Sequence, residues 1–217
     1  MEISNKTLAV ILVAAVAISL FGTVISLDKI SKFTRLTQTT GFATNINGTA
    51  TLTLNETVSL KWALSSIDWV SGYVNATAAD QNCTMNTSNY KSSGCVGFTA
   101  NSDGLVLEND GNRNLTVTLQ SNDTAAQFIG GGADYGGPQF KWKISVNGSE
   151  TLAQACASAA PTTFAEVNAT NAVTICNPFN YVDAYDTIKV DLHINIPVSA
   201  PAGAKTAILT AIGSSWP

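Results

Sequence analysis

Charge is what this chain has least of. Asp, Glu, Lys and Arg make up 12% of its 217 residues, about half the usual share for a soluble protein. A surface so poor in ions must stay in water through hydroxyls, amides or attached sugars. Basic residues are scarce beyond Arg35 and form neither a run nor a basic–aromatic patch, which removes the electrostatic basis for binding nucleic acid. Histidine occurs once, at His193, and no Cys-x-x-Cys is present, so a zinc site lacks its ligands. Neither Gly-x-Ser-x-Gly nor His-Glu-x-x-His occurs. Gly130-Gly131-Gly132 leads into Ala133-Asp134-Tyr135 rather than the Gly-Lys-Ser/Thr of a phosphate loop. These absences leave no candidate catalytic residue, metal ligand or cofactor site. The nearest approach is Asn180 with Asp183 and Asp186, a possible calcium loop whose spacing matches no EF-hand.

One long apolar run is present. Leu8–Leu27 carries no charge and, as a helix rising 1.5 Å per residue, is long enough to cross a hydrocarbon core of roughly 30 Å. An uncleaved membrane anchor is the reading favoured here; a cleaved signal peptide and a buried helix are the alternatives. Ala15-Val16-Ala17 would suit a signal peptidase, but it falls mid-run and leaves too short a core before it. Flanking charge points weakly against export of the remainder, because Lys29, Lys32 and Arg35 follow the run and only Lys6 precedes it. Residues 1–35 hold a net +2, so the rest of the chain carries −6 of the formal −4. The expected organisation is a hydrophobic helix over residues 1–35, a linker over 36–50 and an extracellular domain over 51–217.

That domain is rich in acceptors for N-linked sugar. Asn-x-Ser/Thr occurs at Asn5 and then at Asn47, Asn55, Asn75, Asn82, Asn86, Asn114, Asn122, Asn147 and Asn168, where chance in this composition gives roughly four. N-linked glycans are therefore expected on the nine that follow the apolar run. Four cysteines, Cys83, Cys95, Cys156 and Cys176, read as two disulfides in an exported chain. Three connectivities are open, of which the two sequence-local pairs are favoured. Each would contribute about 3 kcal/mol by restricting the unfolded chain.

Period-two alternation dominates after residue 40. Ala50, Leu52 and Leu54 alternate, then Val58, Leu60, Trp62 and Leu64; Phe140, Trp142, Ile144 and Val146 form another run. The longest, Ile188 to Ile196, sets Lys189, Asp191, His193 and Asn195 on the opposite, solvent-facing side. After Pro197 the stretch "SAPAGA" turns and "KTAILTAIG" returns. Val106–Leu119 reads as a β-hairpin, two runs joined through Asp110-Gly111-Asn112. Trp62, Trp69 and Trp142 are expected in packing rather than as a sugar platform. The fold expected is mainly β: an antiparallel immunoglobulin-like or jelly-roll-type β-sandwich preceded by one long N-terminal hydrophobic helix. A brief second helix is expected in "ETLAQACASAA".

The order of anchor, "SSIDWVSGYVNA", "GLVLENDGNRNLTVTLQS", "FIGGG", "FKWKISVN" and the closing "DLHINIPVSAPAGAKTAILTAIG" resembles surface proteins of small-genome archaea, which have one hydrophobic helix and one extracellular sandwich. The ending is also similar to that of camelysin-like bundling filaments, and the layout is similar to archaeal pilins, although no Lys/Arg-Gly processing site precedes Leu8. What the resemblance implies is location: a membrane-anchored cell-surface protein. The function expected is that of a non-enzymatic subunit of a surface layer or filament, associating with copies of itself. The alternatives are an adhesin contacting glycans or another cell through Tyr135 or Trp216, and a pilin-like subunit with its helix in a filament core.

Overall fold

The computed structural model describes residues 6–7, 9–21, 23, 52–79, 81–148 and 151–217. Contacts divide the chain into two compact units, Met1–Thr53 and Leu54–Pro217. In the first, residues 9–21 are helical and solvent-exposed. Among the described residues no helix is long and apolar enough to cross a membrane. One long N-terminal helix is therefore not seen: Leu8 and residues 24–35 lie outside the described residues, as do the expected linker 36–50 and the acceptor Asn47.

The second unit is mainly β, and its sheets are antiparallel. Twelve strands are described: β1 (Lys61–Leu64), β2 (Tyr73–Val74), β3 (Asn82–Asn86), β4 (Tyr90–Lys91), β5 (Cys95–Val96), β6 (Leu105–Glu108), β7 (Leu115–Ser121), β8 (Gln139–Val146), β9 (Ala165–Glu166), β10 (Val173–Phe179), β11 (Thr187–Pro197) and β12 (Leu209–Ser215). A seven-stranded sheet is organised around β11. One edge of β11 takes β8, which carries β9; the other takes β6 at Thr187–Val190 and β3 at His193–Pro197, with β1 and β4 outside them. The second sheet has three strands in the order β10-β7-β12, and β2 pairs β5 separately.

Alternation explains why the two larger sheets face each other. Ile188, Val190, Leu192 and Ile194 of β11, Phe140, Trp142 and Ile144 of β8, and Leu115, Val117 and Leu119 of β7 are buried in one hydrophobic cluster. A pleated strand sends every second side chain to the same face, so these rows meet as two layers of a sandwich. Trp62 and Trp69 pack at the margin of this core and Trp142 lies within it. Short helices at Ala125–Phe128 and Leu152–Ala155 begin with capping boxes, at Thr124 and Thr151.

Two connections depart from the sequence reading. Val106–Leu119 is not a hairpin: β6 pairs β1 and β11, whereas β7 pairs β10 and β12. The Asn109–Arg113 corner carries the chain from one sheet to the other. Asn109 is buried, and its Nδ2 donates to the carbonyls of Arg113 (3.0 Å) and Phe179 (3.2 Å) while its Oδ1 accepts from the Gly111 amide (3.2 Å). Asn112 faces the other way and holds the incoming chain, accepting from Thr57 N (2.7 Å) and donating to Asn55 O (2.9 Å). The Asp-Gly-Asn knot thus clamps a corner instead of closing a two-stranded ladder. Likewise the segment after β11 does not return along it, because β12 crosses to pair β7.

The alternating run upstream of β1 forms no strand either. Residues 52–60 are extended without ladder partners, and Leu52 and Leu54 are 81% and 80% exposed. The run has the strand pattern, yet it pairs with no strand among the described residues.

Candidate interaction surface and glycan acceptors

Both disulfides lie in the second unit. Cys83 bridges Cys95 and Cys156 bridges Cys176, with Cα–Cα separations of 4.6 and 5.5 Å. They are the two sequence-local pairs, and all four residues are buried. Disulfides persist where the surroundings are oxidising, as outside cells.

The outward face of β11 is less open than alternation predicts. Asp191 and Asn195 are 2% and 3% exposed, and His193 is half-buried. Two segments cover the row. Residues 134–137 accept the Asn195 amide at Gly137 O (2.7 Å), and Phe164 lies against His193 at 5.3 Å between ring centroids, with the rings tilted by 44°. Asp191 sits where β6 and β3 part along the β11 edge. It accepts from Thr87 Oγ1 (2.9 Å) and Ser145 Oγ (2.6 Å), with Lys143 and Lys189 Nζ each 3.9 Å away. Thr87 closes the gap in the ladder: its N–H donates to Leu192 O and its hydroxyl accepts from Leu192 N. A buried polar group needs such partners, and this one serves as a structural fastener for the sheet. Ser145 is bonded to the carboxylate, not to the imidazole. Burial and the facing Lys141 ammonium push the His193 pKa below its ordinary value, with Glu166 partly opposing them. Solvent-facing histidine is thus corrected to a histidine roofed by Phe164.

The loop read as a possible calcium site spends its ligands otherwise. Asn180 accepts from Val182 N (3.0 Å) and donates to Gln154 O (3.3 Å). Burial, with Glu108 and Asp183 nearby, pushes the Asp186 carboxyl up. Among the described residues no group of three or more His, Cys, Asp or Glu is placed to hold a metal ion.

What the surface does present is a bare strand edge. In the three-stranded sheet, β10 is covered along its outer side by residues 156–160, through bridges Cys156–Phe179 and Ala159–Cys176 and the bond from Ala160 N to Ile175 O (3.0 Å). On the opposite side β12 pairs β7 over all seven of its residues, and its outer edge has no strand partner among the described residues. Natural edges are usually blunted by Lys, Pro, a bulge or shortness. "LTAIGSS" has neither charge nor proline, its register with β7 is regular, and Ile208 and Ile212 beside and within it are exposed. The periodicity showed this strand but not that one side of it would remain open.

Five aromatics of the second unit are exposed: Tyr73, Tyr90, Tyr135, Tyr181 and Trp216. Tyr135, 44% exposed, sits in a 3-10 turn with a left-handed backbone (φ 53°), and its carbonyl accepts from Asn82 Nδ2 (3.0 Å). Trp216, 39% exposed, is held through its backbone by Asn114 O (3.0 Å) and Arg113 Nη2 (2.7 Å). Arg113 also pairs with Glu56, so one guanidinium holds both the incoming and outgoing chain.

The sequons fall on different backgrounds. Asn82 and Asn86 lie in β3, Asn114 immediately precedes β7 and Asn122 follows it, and Asn75, Asn147 and Asn168 follow β2, β8 and β9; Asn55 is on the incoming extended segment. No protein-family model, curated protein or solved structure matches the chain.

Proposed function

We propose that the protein is a non-enzymatic, glycosylated subunit of a surface layer or extracellular filament, anchored in the membrane through Leu8–Leu27. The observation that carries this reading is the unguarded edge of β12. An unpaired row of backbone donors and acceptors, flanked by exposed Ile208 and Ile212, is a template for pairing with another chain. The occupant favoured is a second copy, since Leu52 and Leu54 form an alternating, exposed and unpaired run on the same chain. The disulfides support an oxidising, extracellular setting. The two facing sheets support an immunoglobulin-like or jelly-roll-type sandwich.

Ile212→Lys tests the proposal, because it places a charge on the bare edge at a side chain that is already 52% exposed. Electron microscopy of cells carrying the native chain is expected to show a lattice or fibre containing it. The variant, folded to the same melting temperature, is expected to yield dispersed subunits. Dispersed native subunits would remove the structural reading. Assembly of the variant would move the contact away from β12.

A second reading, an adhesin, is favoured by Tyr135, whose exposed ring is presented on a tightly held turn. Glycan-array binding lost in Tyr135→Ala, with assembly intact, would select it.

A further inference from the structure

Attachment of an N-linked sugar replaces one hydrogen of the Asn side-chain nitrogen. A folded domain tolerates the sugar only where the carboxamide opens to solvent, with room for the sugar beside any bond that the remaining hydrogen makes. This holds whether the sugar arrives before or after folding. By this criterion the described sequons divide into two groups, and we infer that Asn55, Asn75, Asn86, Asn122 and Asn168 carry glycans while Asn82, Asn114 and Asn147 do not. The inference rests on the reading of the domain as a glycosylated surface protein and names which acceptors are used.

Three of the first group share one local geometry. Asn75 Oδ1 accepts from Thr77 N (3.0 Å), Asn86 Oδ1 from Ser88 N (2.8 Å) and Asn168 Oδ1 from Thr170 N (2.9 Å). In each the oxygen is turned back onto the amide of the hydroxyl residue two positions on. The carboxamide is thereby oriented, and its nitrogen is left without a protein partner among the described residues. Thr77, Ser88 and Thr170 are exposed, so the hydroxyl of each sequon is presented beside its Asn. Asn122 reaches the same result by another route: its Oδ1 accepts from Ile208 N (2.6 Å), and the exposed side chain keeps its nitrogen free. Asn55 is exposed, and only its backbone carbonyl is held, by Asn112.

The second group is closed by the fold. Asn82 Nδ2 donates to Tyr135 O (3.0 Å), and the hydroxyl of its Thr84 donates to Asn195 Oδ1 (2.7 Å). A sugar on Asn82 would have to enter beside the Tyr135 turn that this nitrogen already contacts. Asn147 Nδ2 donates to Thr187 Oγ1 (3.4 Å) in a partly buried site. The carboxamide oxygen of Asn114 is itself buried, and the Thr116 hydroxyl is bonded to Asn177 Oδ1 (3.2 Å).

Intact glycopeptide mass spectrometry of the full chain from its native cell surface tests the division. Glycan on Asn55, Asn75, Asn86, Asn122 and Asn168, with Asn82, Asn114 and Asn147 all bare, is the expected pattern. Sugar on any of the latter three overturns the division while leaving the glycoprotein reading standing. A chain with sugar elsewhere but with Asn75, Asn122 and Asn168 all unmodified overturns it too, and a chain free of sugar throughout removes both. Two variants separate acceptor from structural amide: Asn168→Gln is expected to lose one glycan mass with an unchanged melting temperature. Asn82→Gln is expected to keep the full glycan mass and melt several degrees lower, through loss of the Tyr135 contact. The reverse pairing would overturn the assignment.

Discussion

His193 contributes a pH response to the domain. It faces Lys141 across the β8–β11 ladder and Asn86 across the β3 side, lies under Phe164, and has Glu166 nearby. Burial and Lys141 disfavour the imidazolium more than Glu166 favours it, so the folded chain binds this proton less readily than the unfolded one. The sign follows from linkage. Stability from neutral His193 is fully present above the unfolded value, about pH 6.5, and falls as the pH drops below it. Replacing His193 by Gln removes the titration and keeps a polar side chain. Denaturant melts at pH 7 and pH 5 are expected to show a larger loss in the native chain than in this variant. Equal losses would mean that the roof of Phe164 is looser than the structure has it.

Among the elements, the corner between β6 and β7 has the clearest energetic signature. Asn109 makes three side-chain hydrogen bonds in a buried site, two of them to carbonyls from separate parts of the chain. Truncation to Ala leaves those backbone groups unsatisfied away from water, at a cost of about 1–3 kcal/mol for a buried group. Asn109→Ala is therefore expected to lower stability by about 3 kcal/mol. Asn112→Ala, whose bonds to Thr57 and Asn55 are solvent-exposed, is expected to cost under about 1 kcal/mol on the same scale. Chemical denaturation of the two variants measures the difference. Similar small losses from both would show that the corner is held by its strands rather than by its amide.

At the scale of the whole molecule, the open question for assembly is what becomes of the apolar run before the sandwich. Twenty uncharged residues, Leu8–Leu27, gain about 25 cal/mol per Å² on leaving water. A retained segment therefore belongs in a bilayer or against sister helices in a fibre core. Removal of the segment would instead leave residues 37–57 as a free strand donor, with its "TATLTL" run available to a neighbour's β12. The intact mass of the mature chain decides between these. A full-length N-terminus is the expected result, and it would keep the proposed membrane anchor in play. A start beyond Ala17 would exclude the anchor and leave strand donation as the mode of assembly.

Composition and period determined the chemistry of the parts. Ile188, Val190, Leu192 and Ile194 alternate and are buried together, because pleating alone assigns their face. The sequence-local cysteine pairing was legible because an exported chain with an even cysteine count closes its short loops. Sheet partners were not legible. Val106–Leu119 has the turn residues of a hairpin, yet Asn109 and Asn112 use their amides to bind distant backbone, sending the two strands into different sheets. The same limit hid the cover over His193, which comes from Phe164 far along the chain, and the bareness of β12, which depends on where every other strand went. It also hid the sorting of the sequons. Asn82 and Asn168 carry the same three-residue signal, but one amide nitrogen meets the Tyr135 carbonyl and the other meets no carbonyl among the described residues. A strand's face is a local property of its own residues, whereas its neighbours and the fate of each amide depend on contacts between segments far apart in the chain.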